Sequence, residues 1–275
     1  MSKDNLFLET INILREYNIK VNKRKGQHFL INSNLLKREI EYAEIKPSDT
    51  VLEIGAGLGT LTAALAEKAK KVFAIEKDRK LFNILKNKLS SFNNVELILG
   101  DALKLEFPAV QKIVSNIPYS ISSPLTFKIL SSKYEKAVLI YQLEFAKRLI
   151  AKPGTKDYGR ITIGVYYKAD AKLLERIPSK AFYPPPKVES AVILLRPKPP
   201  PFEISNENLF FEVVRFLFMH PNKKAKHSIK HYLKSKDIEI NKLESASELF
   251  EKKVRDLTPM EINKIVNVLM PLEKE

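Results

Sequence analysis

Two short patterns hold the residue types that could do chemistry. The first, Val51-Leu-Glu-Ile-Gly55-Ala-Gly57-Leu-Gly59-Thr-Leu-Thr62, ends a β-type run in a glycine-rich turn and opens a helical pattern. Glycines there let the backbone turn sharply and approach a ligand closely. The spacing reads E-x-G-x-G-x-G, unlike the G-x-G-x-x-G of dinucleotide sites. Glu76 closes the next apolar run about 20 residues on, where a carboxylate can accept hydrogen bonds from ribose hydroxyls. Asp101, in Leu99-Gly-Asp-Ala102, adds a second acid after the third run. Two acids, with no Lys or Arg in the glycine turn, suit a nucleoside without phosphates, including one that carries positive charge. The second pattern is Asn116-Ile-Pro-Tyr119. An Asn amide and a neighbouring carbonyl can accept hydrogen bonds from a planar exocyclic amine while a tyrosine stacks on its ring. Taken bare, the pattern is a turn in which Tyr packs and Asn caps. At a strand end beside a nucleoside turn, it reads as amine recognition.

Positioning these groups requires strands that end at one edge. Short β-rich runs at Thr50–Ile54, Val72–Ile75, Val95–Leu99, Ile113–Ser115 and Ala137–Tyr141 alternate with helical segments at Leu58–Lys68, Asp78–Ser90 and Ser123–Ser131. That alternation predicts an α/β fold, a doubly wound parallel sheet with helices on both faces. Lys172–Arg176 and Ser190–Leu195 follow without a clear helix between them, which predicts a mixed sheet with an antiparallel strand at one edge. Arg196-Pro-Lys-Pro-Pro-Pro201 cannot continue a helix or a central strand, so it marks a boundary between a domain over 1–201 and one over 202–275. The second reads as all-helical, with segments at Leu209–Met219, Lys224–Lys234, Lys242–Glu251 and Pro259–Leu269.

The 275 residues carry a net charge of +15 and no cysteine, which excludes thiolate metal sites and cysteine catalysis. No apolar run reaches the roughly 20 residues that span a bilayer, and residues 1–20 form a charged amphipathic pattern rather than a signal peptide. A soluble protein of the cell interior, with no membrane partner, is expected. The excess charge fits a nucleic acid, an anionic membrane surface or an acidic protein equally. Nearly all of it, +14, lies in 1–201.

In order along the chain, Gly-Ala-Gly-Leu-Gly-Thr, Glu76, Gly100-Asp-Ala102 and Asn-Ile-Pro-Tyr resemble the S-adenosylmethionine-dependent RNA adenine N6-dimethyltransferases. The branch most resembled dimethylates two adjacent adenosines near the 3′ end of small-subunit ribosomal RNA. Further runs agree: Lys23-Arg-Lys-Gly26-Gln27-His28-Phe29-Leu30, Gln142-Leu-Glu144-Phe-Ala-Lys-Arg148 and Phe182-Tyr-Pro-Pro-Pro-Lys187-Val188-Glu-Ser190. The match covers roughly residues 20 to 200. It implies a methyltransferase-type Rossmann-like sheet and S-adenosylmethionine as cofactor. Gln27, His28 and Leu30 would close over that cofactor, with Gly55 and Gly57 beneath it. Glu76 would hold its ribose, and Asp101 with Ala102 its adenine. Asn116 would lie between methyl donor and target amine, with the Pro118 carbonyl as a second acceptor. Tyr119 and Phe182 would sandwich the target base, although Phe182 also reads as a plain core residue. The partner would be the small subunit or its RNA, met in the cytoplasm by a monomer. Lys23, Arg24, Lys25, Lys147, Arg148, Lys187, Lys223 and Lys224 would contact phosphates. A large-subunit, macrolide-resistance-type dimethyltransferase and a non-catalytic RNA-binding assembly factor are the competing readings.

The sequence departs from that family after the Phe-rich helix. Phe218-Met-His-Pro-Asn222-Lys-Lys-Ala-Lys-His227 stands where an arginine-rich run is usual, so the basic character is kept by lysines. Lys223, Lys226, Lys230 and Lys234 fall at helical spacing as one positive stripe. His227 and His231 stand at i and i+4 without an evident third ligand, so no metal is expected and they read as surface or phosphate-facing groups. Tyr166 and Tyr167 are expected in a helix that packs on the sheet.

Overall fold

A computed structural model describes residues 3–21, 26–238 and 247–270. Packing divides the chain into two units. The first takes the described residues up to Ala146 together with Asp170–Pro197, and the second takes Lys147–Ala169 together with the described residues from Lys198 onward.

The first unit is built on seven strands. They are β2 (Thr50–Ile54), β3 (Lys71–Glu76), β4 (Val95–Leu99), β5 (Lys112–Asn116), β6 (Lys136–Gln142), β7 (Ala169–Ile177) and β9 (Ser190–Pro197), in the order β4-β3-β2-β5-β6-β9-β7. A two-stranded ribbon pairs β1 (Phe29–Leu30) with β8 (Phe182–Tyr183). The five strands from β4 to β6 are parallel and β9 is antiparallel to β6. The antiparallel strand therefore stands one place in from the edge, which β7 occupies, rather than at the edge as expected. β2 has Val51, Leu52 and Ile54 essentially inaccessible, the pattern of a central strand covered on both faces. Helices α1 (Lys3–Glu16), α2 (Ser33–Ala43), α3 (Thr60–Ala66), α4 (Arg79–Lys88) and α5 (Ser122–Leu130) accompany the sheet, and α6 (Leu143–Leu149) follows β6 where the chain passes from the first unit to the second. Asn32 and Asp78 cap α2 and α4 by accepting from the backbone N–H groups of Leu35 and Lys80.

The chain winds outward from β2 through β3 to β4, then restarts on the other side with β5 and β6. The strand order thus reverses between β2 and β5, and a doubly wound sheet opens its ligand crevice at such a reversal, beyond the carboxyl ends of the strands. The glycine turn leaves β2 at that point, and Asn116 ends β5 beside it. Ser115 Oγ ties the two ends by donating to the Ile54 carbonyl at 2.6 Å.

The second unit is helical. It holds α7 (Arg160–Lys168), α8 (Glu207–Leu217), α9 (Ala225–Ser235), α10 (Ser247–Glu251) and α11 (Pro259–Leu269), around a core that includes Tyr158, Phe210, Leu217, Tyr232 and Ile265. A Thr258–Glu261 capping box with Pro259 in the first turn starts α11. The expected division at 201/202 lies close to the crossing at 197/198, but residues 147–169 depart from it. The reason is packing: Ile163 of α7 is part of the helical core and Tyr167 lies against the rings of Phe202, Phe210 and Phe211. Tyr167 therefore serves the helical unit rather than the sheet. Of the expected helix Lys242–Glu251, residues before 247 lie outside the described residues, as do Lys23, Arg24 and Lys25.

Candidate active site

A cavity of about 430 Å³ opens at the reversal point, entirely within the first unit. Gln27, His28 and Leu30 line it from the N-terminal segment, Gly55 and Gly57 from the turn after β2, and Glu76 from the end of β3. Asp101 and Ala102 line it after β4, Asn116 and Pro118 after β5. Segments distant in sequence thus meet because their strands end at one edge.

The glycine turn must approach the Asn-Ile-Pro-Tyr turn closely. Gly55 has φ +84°, and a Cβ there would meet Pro118 Cγ at 3.2 Å. Gly57 has φ +60° and lies under Phe29, whose ring a Cβ would meet at 3.4 Å. Both positions combine a left-handed backbone with close neighbours, which an L side chain satisfies poorly.

Glu76 is buried and uses both oxygens to fix the turn, accepting the Gly57 N–H at 2.9 Å and the Asp78 N–H at 2.8 Å. Burial raises its carboxyl above the usual range, and these backbone donors oppose the shift. Each oxygen has a second lone pair for a hydroxyl donor. Asp101 accepts from Lys77 Nζ at 2.8 Å and from the Leu103 N–H at 3.0 Å, and Lys77 holds its carboxyl below the usual range.

Asn116 Oδ1 is buried at the cavity and has no hydrogen-bond partner among the described residues. A buried acceptor without a donor costs free energy on the order of 1–3 kcal/mol, so its retention at a cavity wall points to a ligand donor. Glu53 repeats the pattern. It lines the cavity at 2% exposure, its Oε2 is partnerless, and burial pushes its carboxyl up to about 8. The sequence assigns it no role, although it opens the E-x-G-x-G-x-G run. A charged residue inside an apolar β-run was the available signal.

Tyr119 and Phe182 are placed differently from the other expected site residues. Tyr119 lies between cavity-lining Pro118 and Ser120, with its ring stacked on His28 and its hydroxyl 2.6 Å from Ser190 Oγ. Phe182 is 3% exposed, pairs with Leu30 through the β1–β8 ribbon and belongs to the hydrophobic core. It is not a free face for a base: strand pairing turns it inward, as the plain core reading expects.

Of the expected phosphate contacts, Lys187, Arg148, Lys223 and Lys224 are exposed and Lys147 is half-buried. Lys224 is ion-paired with Glu251 at 2.7 Å, as is Lys226 at 2.6 Å. Lys223 precedes α9, so the helical stripe reduces to Lys226, Lys230 and Lys234. His220 joins His227 and His231, with ring centroids 4.8 to 6.1 Å apart. Among the described residues no group of three His, Cys, Asp or Glu side chains is placed to hold a metal ion. Nor is any described helix long and apolar enough to cross a membrane.

Comparison with known proteins agrees with this geometry. A "Probable ribosomal RNA small subunit methyltransferase A" of Methanosarcina acetivorans is 46% identical over 95% of this chain and 98% of its own. One of the same description from Thermococcus kodakarensis is 47% identical over 97% and 95%. Among solved structures, a dimethyladenosine transferase from Plasmodium falciparum superposes with a TM-score of 0.73 at 30% identity, covering 90% of this chain and 98% of that one. The 23S rRNA methyltransferase ErmE superposes with a TM-score of 0.63 at 29% identity, covering 88% and 99%. The family model described as ribosomal RNA adenine dimethylase matches residues 18–270. The chain therefore belongs to the ribosomal RNA adenine dimethylase family and is a methyltransferase.

Proposed function

We propose that the cavity binds S-adenosylmethionine and that the protein transfers methyl groups, two in succession, to the N6 amine of two adjacent adenosines near the 3′ end of small-subunit ribosomal RNA, a cytoplasmic step of ribosome assembly. The observation that carries this reading is the buried, partnerless Oδ1 of Asn116 at the cavity wall. The lining suits that cofactor: Glu76 offers lone pairs to ribose hydroxyls, Glu53 offers an unpaired oxygen to a cationic group, and Lys77 is already engaged by Asp101. Gln27, His28 and Leu30 would cover it, Gly55 and Gly57 would leave room for it, and Asp101 with Ala102 would meet its base. When bound, it supplies a methyl group on a sulfonium centre.

The chain's own groups would do the rest by positioning. An adenine amine has its lone pair drawn into the ring. Donating to Asn116 Oδ1 and to the Pro118 carbonyl would favour a tetrahedral nitrogen and turn its lone pair toward the methyl. No side-chain nucleophile is needed. The base must leave its stack, and the Tyr119 ring would offset part of that cost. Phe182 would support the site by packing against Leu30 instead of stacking. Lys23, Arg24, Lys25, Lys147, Arg148, Lys187, Lys223 and Lys224 would contact phosphates, and the helical unit would serve RNA or ribosome docking.

The small-subunit assignment is favoured over the large because the relatives at 46 and 47% identity are described as small-subunit enzymes, whereas ErmE is 29% identical. The test is incubation with radiolabelled cofactor and undermethylated small or large subunits, followed by nuclease digestion. Dimethyladenosine from the small subunit is expected; its absence, or label only in the large subunit, overturns the reading. Asn116→Ala should lower transfer by more than about 100-fold while cofactor affinity stays within a few-fold.

A further inference from the structure

Ser190 opens β9 and is fully buried, paired across the sheet with Gln142. A hydroxyl sealed in a sheet needs a partner. That partner is the Tyr119 hydroxyl at 2.6 Å, 71 residues away in sequence. Tyr119 stands on the short turn Tyr119–Ile121 that follows Asn116, Ile117 and Pro118, so a residue of the antiparallel strand reaches into the turn that carries the amine-recognition groups.

Three further contacts hold the backbone of Tyr119, one face of its ring and the histidine stacked on that face. Ser122 Oγ donates to the Tyr119 carbonyl at 3.1 Å, which fixes the backbone at the ring's root. His28 stacks on one face with ring centroids 5.6 Å apart and planes 28° from parallel. His28 is itself pinned, because its Nδ1 lies 2.7 Å from the Pro184 carbonyl; a carbonyl only accepts, so this nitrogen donates. The segment Pro184–Ser190 therefore holds the tyrosine twice, through His28 at its face and through Ser190 at its tip.

We propose that Ser190 is a positioning residue for methyl transfer: by holding the Tyr119 hydroxyl it sets the plane of the ring against which the target adenine stacks, on the face opposite His28. The proposal rests on the reading that Tyr119 is the platform for that base. Ser190 itself does not line the cavity. Its effect is on the fraction of bound adenosine whose nitrogen lies in line with the methyl, so it acts on the rate of transfer and not on cofactor binding.

The test compares full-length Ser190→Ala, Tyr119→Phe and the double variant with the unsubstituted protein, using undermethylated small subunits and labelled cofactor. Tyr119→Phe removes the same hydrogen bond from a half-buried side and keeps the ring, so one of the two variants remains informative if the other folds poorly. Each single change should lower kcat by about three- to tenfold, with KM and the dissociation constant for S-adenosylmethionine within twofold and a melting temperature lower by only a few degrees, the cost of the hydroxyl left without its partner. The double variant should be no slower than the slower single one, because both remove one bond. Full activity in Ser190→Ala, losses that multiply in the double variant, or an equal loss of cofactor affinity would overturn the proposal. Tyr119→Ala separates the two levels. If it is inactive while Ser190→Ala is fully active, only the role of Ser190 fails; if it is fully active, the platform reading fails first.

Discussion

The sheet unit and the helical unit place their polarity in opposite ways. In the sheet unit, Glu53 Oε2 and Asn116 Oδ1 are buried without partners at the cavity, while the carboxyl oxygens of Glu39, equally buried and partnerless, are not part of its lining. In the helical unit, the core is dominated by apolar and aromatic side chains, the buried partnerless atoms Asn263 Oδ1 and Arg255 Nε line no part of that cavity, and carboxylates such as Glu251 and Glu261 lie toward the surface beside lysines. Partnerless buried acceptors lower stability, and two of them gathered at one cavity wall point to a ligand that supplies the missing donors. The first unit is thus organised around something it binds, and the second around its own core with a charged exterior.

The largest effect on cofactor affinity should come from Glu76→Ala. It removes the acceptor proposed for the cofactor's ribose and leaves the Gly57 and Asp78 N–H groups without their partner, so cofactor affinity should fall by about 100-fold in calorimetric titration. The same titration on Phe210→Ala supplies the counterpart. Phe210 is fully buried among Phe202, Phe211 and Tyr167, and truncating it should cost about 3–5 kcal/mol in denaturant unfolding of the helical unit. Cofactor affinity should stay within twofold. Equal losses of affinity in both variants would remove the distinction between a unit that binds and a unit that packs.

Much of the sheet unit was legible because its signals are local. A glycine turn, an acid about 20 residues later and an Asn at a strand end each declare themselves within a few residues. Parallel strands then bring those ends together without further instruction. What was not legible depends on packing between distant segments. Nothing near Phe182 says that it pairs with Leu30, and nothing near Ser190 names Tyr119 as its partner. α7 carries a helical period whichever core it serves, and only the aromatic contacts of Tyr167 decide that it belongs with α8. Glu53 was visible as a residue, but its burial was not. The role proposed for it depends on being inside.

That burial has a pH signature. Glu53 titrates at about 8 in the folded chain, well above the ordinary glutamate range, because it is desolvated. The neutral form is favoured by folding, so its contribution is complete below the unfolded value and lost as pH rises through about 8. Stability in the absence of cofactor should fall by about 1 kcal/mol between about pH 7 and 9 from this group, measured by denaturant unfolding. Glu39, raised by burial and by Glu53, adds a loss of the same sign. Glu53→Gln stays neutral and should flatten that part of the profile. An unaltered profile would show that Glu53 is ionised in the folded chain.

The smallest effect tests whether the helical unit's surface charges are poised for RNA or spent on each other. Glu251 pairs Lys224 and Lys226, and both lysines hold its carboxyl down at about 2. All three side chains are exposed, where such pairs contribute little to stability. Glu251→Gln should therefore leave unfolding essentially unchanged while releasing two cations toward phosphate. RNA affinity should rise by about two- to threefold at low salt, and the increase should shrink as salt is added, because the new lysine–phosphate pairs are screened and compete with counterions. Affinity for S-adenosylmethionine, whose proposed site is lined by the first unit, should not change in either salt. Weaker RNA binding in Glu251→Gln would mean that the acid orders Lys224 and Lys226 for docking, so that the pairing belongs to the interface and not only to the surface.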